Sequence, residues 1–146
     1  MKVKDILKDK GSFVITVNQD KTVYEALEAF ASHKVGSLLV VDNDDNPVGI
    51  IGPRDVLTET LRVVEGIKAS KVKDVMTREI IVASPDDDVE EAEKTMTKNR
   101  IRHLPIVENG KIAGIISIGD LVKAQLKDLH VENRYLKDYV AGKYPA

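Results

Sequence analysis

The chain is predicted to be a mixed α/β (α+β) protein made of two β-α-β-β-α repeats packed about a pseudo-two-fold axis through their sheets. Three observations predict it. First, motifs recur in order. Val3-Lys4-Asp5-Ile6-Leu7 returns as Val72-Lys73-Asp74-Val75-Met76, Thr22-Val23-Tyr24-Glu25-Ala26 as Asp88-Val89-Glu90-Glu91-Ala92, and Val48-Gly49-Ile50-Ile51 as Ala113-Gly114-Ile115-Ile116, the last pair each followed by an aspartate, Asp55 or Asp120. Second, the spacing between copies shortens from 69 residues (Val3 to Val72) through 66 (Val23 to Val89) to 65 (Gly49 to Gly114), so the copies differ in length around Gly11 to Phe13 and around Asp44, both loop-like. Third, each half is too short to close a large core and has few aromatic residues to help it, so the copies are expected to bury their apolar faces against each other. The implied boundaries are 1–66 and 67–130, with 131–146 as a C-terminal helical extension. The seam between the copies is where function is expected.

Each repeat is entered by a lead-in turn, around Asp5 or Asp74. A short strand follows, Val14 to Val17 or Ile80 to Ala83. Thr22 then caps a helix, Glu25 three residues on completes a capping box, and Val23, Ala26, Leu27 and Phe30 take the i, i+3, i+4, i+7 positions of a buried stripe. Asp88, Glu91, Val89, Ala92 and Met96 repeat that pattern, with Glu93 in place of Leu27, either exposed or paired with a nearby base. The runs Leu38 to Val41 and Leu104 to Val107, a polar turn (Asp42 to Asn46, Glu108 to Lys111), and the runs Val48 to Ile51 and Ile112 to Ile116 read as hairpins. Val56, Leu57, Leu61 and Val64, and likewise Leu121, Val122, Leu126 and Leu129, space as closing helices. In the tail, Leu129, Leu136 and Val140 share a stripe with Tyr135 and Tyr139 beside it, before Gly142 and Pro145 end the pattern. That helix either packs on its own module or crosses to a second subunit.

Composition narrows the function classes. With 146 residues, 42% hydrophobic and 32% charged, one compact unit accounts for the chain. A net charge of −2 with mixed signs leaves no basic footprint for nucleic acid. The absence of cysteine excludes disulfides and cysteine-ligated zinc or iron–sulfur sites. No apolar run of about 18 residues suggests a membrane span, and Met1-Lys2-Val3-Lys4-Asp5 is unlike a secretory leader, so a cytoplasmic protein is the expectation.

The β-α-β-β-α order, the Val-x-Asp-Val-Met-Thr lead-in (Val72 to Thr77), the run Arg102-His103-Leu104-Pro105-Ile106-Val107, and Gly114-Ile115-Ile116-Ser117-Ile118-Gly119-Asp120 together resemble the cystathionine β-synthase-type (CBS) domain, here as a stand-alone pair over about residues 1 to 130. The resemblance implies a regulatory, ligand-sensing module. It implies clefts between the repeats that bind AMP, ADP, ATP or S-adenosylmethionine, no obligatory cofactor, no metal and no catalytic residues, and association of two copies into a disc. It also implies crossed sites. One combines Ile115, Ser117, Gly119 and Asp120 with Ile15, Val35, Gly36 and Lys10. The other combines Gly52, Arg54 and Asp55 with Thr77, Ile80 and Ile101, and with Arg102 and His103 at its phosphate end.

The residues support that chemistry on their own terms. A strand ending in a hydroxyl and running into a helix offers free N–H groups and the positive end of the helix dipole, which suits a phosphate. Ser117 adds a donor, and Asp120 can accept from both hydroxyls of a ribose, though either residue alone is also an ordinary helix cap. The two sites are expected to be unequal. Gly52 stands where Ser117 provides a hydroxyl, and Pro53 removes a backbone N–H. Arg54 either grips phosphate bidentately or is a solvated charge. Gly36 would let a flat base approach the backbone. Arg100, Arg102 and His103 form the densest cationic cluster, with His103 a candidate pH-sensitive phosphate contact. His33 and His130 read as surface residues.

The leading expectation is therefore a sensor that binds an adenosine-bearing small molecule, forms a homodimer and signals to an unidentified regulated protein, with no membrane or nucleic-acid partner. The alternatives are a dimeric scaffold with vestigial clefts, an enzyme acting on a nucleotide, and a nucleic-acid-binding regulator. Against an enzyme stand the absence of a Gly-rich P-loop, of metal-ligand spacing and of a Ser-His-Asp or paired-carboxylate pattern.

Overall fold

The computed structural model describes residues 1–11, 13–63 and 65–127. The elements run α1 (Val3–Lys10), β1 (Thr16–Asn18), α2 (Val23–His33), β2 (Leu38–Val41), β3 (Pro47–Ile51), α3 (Pro53–Arg62), α4 (Val72–Val75), α5 (Val89–Asn99), β4 (His103–Glu108) and β5 (Lys111–Ser117), closed by α6 over 118–127. Val64, Leu129, His130 and the expected extension lie outside the described residues.

The two hairpins form as expected. β2 pairs antiparallel with β3, and β4 with β5. β1 lies parallel to β2, with Thr16, Val17 and Asn18 opposite Leu39, Val40 and Val41. The strand expected at 80–83 does not form; a single parallel bridge joins Ala83 to Ile106. There the Ala83 N–H donates to the Pro105 carbonyl (3.0 Å) and the Val107 N–H to the Ala83 carbonyl (2.9 Å). The next rung would need an N–H at residue 105, and proline has none.

The starts of α4 and α5 have no side-chain cap, unlike that of α2. Thr22 Oγ1 accepts the Glu25 N–H at 3.1 Å, the expected cap of α2. Asp88 does not cap α5, because its carboxylate is held by Lys2 Nζ at 2.9 Å. Leu27, expected on the buried stripe of α2, is 41% exposed. Glu93 accepts from Gln125 Nε2 of α6 (2.6 Å), an amide rather than a base.

The lead-ins are more than turns. α1 is a helix of eight residues and α4 one of four, and each packs on the other repeat. Val72 and Met76 sit in the core formed by Val17, Val23, Ala26, Leu38, Val40, Ile51 and Val56. Val3, Ile6 and Leu7 sit in the core of Val89, Ala92, Met96, Leu104, Ile106, Ile116 and Leu121. Backbone bonds fix both docks in the same way. Val72 N–H donates to the Lys21 carbonyl and Val23 N–H to Ser70 (both 2.8 Å), while Val3 N–H donates to Asp87 (2.9 Å) and Val89 N–H to Met1 (3.0 Å). This reciprocal exchange is how the halves bury apolar surface together, and it accounts for the recurring Gly-Ile-Ile. A Cβ on Gly114 would stand 2.6 Å from Leu7 Cδ2, and one on Gly49 would stand 2.9 Å from the Thr77 carbonyl oxygen and collide with Met76.

Candidate functional site

Two clefts open along the seam between the repeats. α2 and α5 each end in a left-handed residue, Lys34 (φ 53°) and Arg100 (φ 54°), which swings the next residues, 35–37 and 101–103, into the seam before β2 and β4 begin.

The first cleft is a cavity of about 360 Å³. Its walls are apolar: Phe13, Val14 and Ile15 from the segment before β1, Val35 after α2, and Ile115 from β5. Lys10, Ser117, His33, Ser37 and His103 supply its polar lining, and Gly36 completes it. Lys10 Nζ donates both to the Ile115 carbonyl and to Asp120 Oδ2, each at 2.6 Å. Ser117 and Asp120 cap α6 reciprocally. The Ser117 N–H donates to Asp120 Oδ2 at 2.8 Å, and the Asp120 N–H donates to Ser117 Oγ at 3.1 Å. Burial pushes the Asp120 carboxyl upward, but the Lys10 ammonium and the Ser117 donors outweigh it and hold the group below the usual carboxylate range. Asp120 itself does not line this cavity and reaches it through Lys10 and Ser117. Gly119, exposed in the first turn of α6, does not line it either.

The second cleft is larger, about 600 Å³. Ile50, Gly52, Pro53, Arg54 and Asp55 line one side, and Arg100, Ile101, Arg102 and His103 the other, with Gly36 and Ser37 between. Asp55 caps α3 by accepting the Gly52 N–H at 2.8 Å. The cationic groups expected around residues 100–103 thus converge with Arg54. Thr77 and Ile80 are not brought to the lining. Thr77 exchanges both backbone bonds with Ile50, at 2.9 and 3.0 Å, so it stands beside a lining residue, exposed. Ile80 is half-buried away from the cleft, and its neighbour Ile81 packs on the second core.

His103 lines both clefts rather than the second alone. Its ring lies against Gly36, where an added Cβ would meet Cε1 and Nε2 at 3.1 Å. Burial first, then Lys10 and Arg102, push the imidazole below its ordinary value, against the opposing pull of Asp120.

Five lining residues escape the sequence reading, Val14 and Ile50 among them, which read only as parts of strands. Ser37 stands 66 residues before His103, so the repeat register could have paired them across the seam. Phe13, 83% exposed, is a large apolar side chain where the copies differ in length. His33 is exposed as expected, yet it belongs to the first cleft. Among the described residues no group of three or more His, Cys, Asp or Glu side chains is placed to hold a metal ion, and no helix is long and apolar enough to cross a membrane.

Comparison with known proteins gives a consistent picture. A family model described as the CBS domain matches residues 3–62 and again 72–127. A mitochondrial CBS domain-containing protein of Arabidopsis thaliana, CBSX3, is 35% identical over 97% of this chain and 73% of its own length. An inosine-5'-monophosphate dehydrogenase of Methanocaldococcus jannaschii is 42% identical over 81% of the chain, but that match spans 22% of the enzyme. Among solved structures, a CBS-domain protein of Agrobacterium tumefaciens superposes with a TM-score of 0.80 at 36% identity, covering 85% of this chain and 92% of that one. CBSX2, solved in complex with AMP, superposes with a TM-score of 0.70 at 27% identity, covering 86% and 96%. A CBS domain pair solved with 5'-methylthioadenosine and S-adenosyl-L-methionine gives a TM-score of 0.76 at 26% identity, covering 88% and 98%.

Proposed function

Because the chain belongs to the CBS domain family and carries two such domains in tandem, we propose that it is a regulatory module that binds an adenosine ligand between its repeats and signals the binding to a partner protein. The observation that carries this reading is the first cleft. It is an apolar-walled slot with an ammonium, two hydroxyls and two imidazole rings in its lining, a lining suited to a flat base with a phosphate or another polar group attached. Structural neighbours solved with AMP, or with 5'-methylthioadenosine and S-adenosyl-L-methionine, support the ligand class, and AMP, ADP, ATP and S-adenosylmethionine are the ligands to try. Since each cleft draws on both repeats, a ligand would favour the arrangement in which they fit it best, and that differential affinity is what a signal requires.

The module works as a homodimer in this reading. Leu57 and Leu61 of α3 are 65% and 88% exposed, and the repeat-related Val122 and Leu126 of α6 are 47% and 50% exposed, with Ile118 at 42%. Such i, i+4 apolar stripes suit a second copy.

Thermal unfolding with AMP, ADP, ATP, S-adenosylmethionine and a guanosine nucleotide tests the proposal. A ligand at about 100 times its dissociation constant adds roughly 2.7 kcal/mol, a rise of several degrees for a chain of this size. Adenosine ligands should raise the midpoint, the guanosine ligand should not, and Asp120→Ala and Asp55→Ala should each reduce the rise. No shift with any adenosine ligand would leave a dimeric scaffold. Turnover of the nucleotide on incubation would show an enzyme.

A further inference from the structure

We propose that the two clefts take ligands of different charge: the cleft walled by Arg54, Arg100 and Arg102 accepts a di- or triphosphate, and the cleft closed by Lys10 accepts at most one phosphate. The inference rests on the adenosine-ligand reading and adds to it which phosphate chain each cleft tolerates.

The arginines come from three backbone positions: the first turn of α3, the left-handed residue that ends α5, and the residue before β4. All three line the same cavity of about 600 Å³. Arg54, Arg100 and Arg102 are exposed, and the described arginines that form side-chain bonds, Arg62 and Arg78, lie elsewhere. Among the described lining residues these three guanidiniums share the cleft with one carboxylate, Asp55, one oxygen of which already accepts the Gly52 N–H. Each guanidinium can hold two phosphate oxygens in its planar fork, and several of them suit a chain of phosphates better than a single one. They more than replace the backbone donor that Pro53 removes.

The first cleft has the opposite balance. Its ammonium lies 2.6 Å from the Asp120 carboxylate, so its positive charge is largely neutralised. Its cavity is smaller, about 360 Å³, with mostly apolar walls. A chain of phosphates there would meet the Asp120 carboxylate behind a single lysine. His103 belongs to both clefts and does not discriminate between them.

The test is calorimetric titration of the full chain with adenosine, AMP, ATP and inorganic tripolyphosphate, without divalent cations, on wild-type, Arg54→Ala, Arg102→Ala, Arg54→Lys and Lys10→Met. Arg54 and Arg102 are exposed, so the fold should tolerate their replacement. Each arginine-to-alanine change should weaken ATP and tripolyphosphate by about tenfold or more, with AMP in the first cleft changed by less than about twofold. Arg54→Lys should restore part of the loss. Equal weakening of AMP and ATP by the arginine variants would overturn the inference, as would loss of ATP in Lys10→Met alone. If tripolyphosphate binds and no adenosine ligand does, the adenosine reading fails while the arginine cleft keeps its charge preference. If none binds, both fail.

Discussion

Lys10 and Asp120 show how residue chemistry sets the first cleft, and also how little of it a linear sequence displays. Ser117 and Asp120 are legible as a motif, but capping and ligand contact remain open until the reciprocal hydrogen bonds are seen. Lys10 lies 110 residues away from Asp120 and reaches it only through the docking of α1, so no local pattern points to it. The family resemblance alone names it. Because the Asp120 carboxyl is held below its usual range, its contribution to stability is present above the unfolded-chain value of about 3.9 and is lost as pH falls through the lower folded-state value. Lys10→Met should therefore lower stability by about 1 kcal/mol near neutral pH and flatten the acid limb of the pH profile, measured by urea unfolding; an unchanged acid limb would remove Lys10 from this role. His103 titrates the other way round. Burial, Lys10 and Arg102 depress it while Asp120 opposes them, and Arg54, Arg100 and Asp55 in the second cleft and His33 in the first complete its charged surroundings. The fold favours the neutral ring, and that advantage is lost as pH falls below about 6.5 toward the lower folded-state value. A bound phosphate would raise the imidazole again, so binding should take up a proton and tighten as pH falls from neutrality toward the lowered value of the free ring. AMP titrations over that range should lose this slope in His103→Gln, and an identical slope would exclude the histidine.

At the scale of elements, hydrophobic periodicity reveals which face of a helix is buried but not what buries it. That is why α2, α5 and the hairpins are legible, while the exchange of α1 and α4 between the repeats is not. The exchange leaves a trace in the two Gly-Ile-Ile motifs, where a glycine makes room for Leu7 or Met76. The missing strand before α5 is likewise readable only in retrospect, from Pro105 standing where a ladder donor is needed. Overpacking the dock should destabilise the fold: Gly114→Ala by about 1–3 kcal/mol, with part of the loss recovered when Leu7→Ala is combined with it. Strict additivity of the two changes in denaturant unfolding would contradict the docking described here.

For the whole molecule, the repeat was the decisive signal, because a half-chain that cannot close its own core must use its copy. The repeat therefore yields the fold class and the seam as the place to look, while the crossed clefts are what the family resemblance implies. It does not yield their contents, since convergence of Arg54 with Arg100 and Arg102 depends on how the halves meet. The exposed stripes on α3 and α6 belong to this scale too. Leu61→Glu combined with Leu126→Glu should convert the proposed dimer to a monomer in sedimentation, a monomeric wild-type chain would overturn the dimer, and a dimer that persists in the variant would place the interface elsewhere. The most direct test of the central claim is the change in backbone amide NMR shifts when AMP is added. The expected result is a set of changes gathered at Lys10, Val14 and Ile15, Val35 to Ser37, His103 and Ser117, on both sides of the seam. Changes confined to one repeat, or centred on the groove of Met1, Asp5 and Lys123, would contradict binding between the repeats.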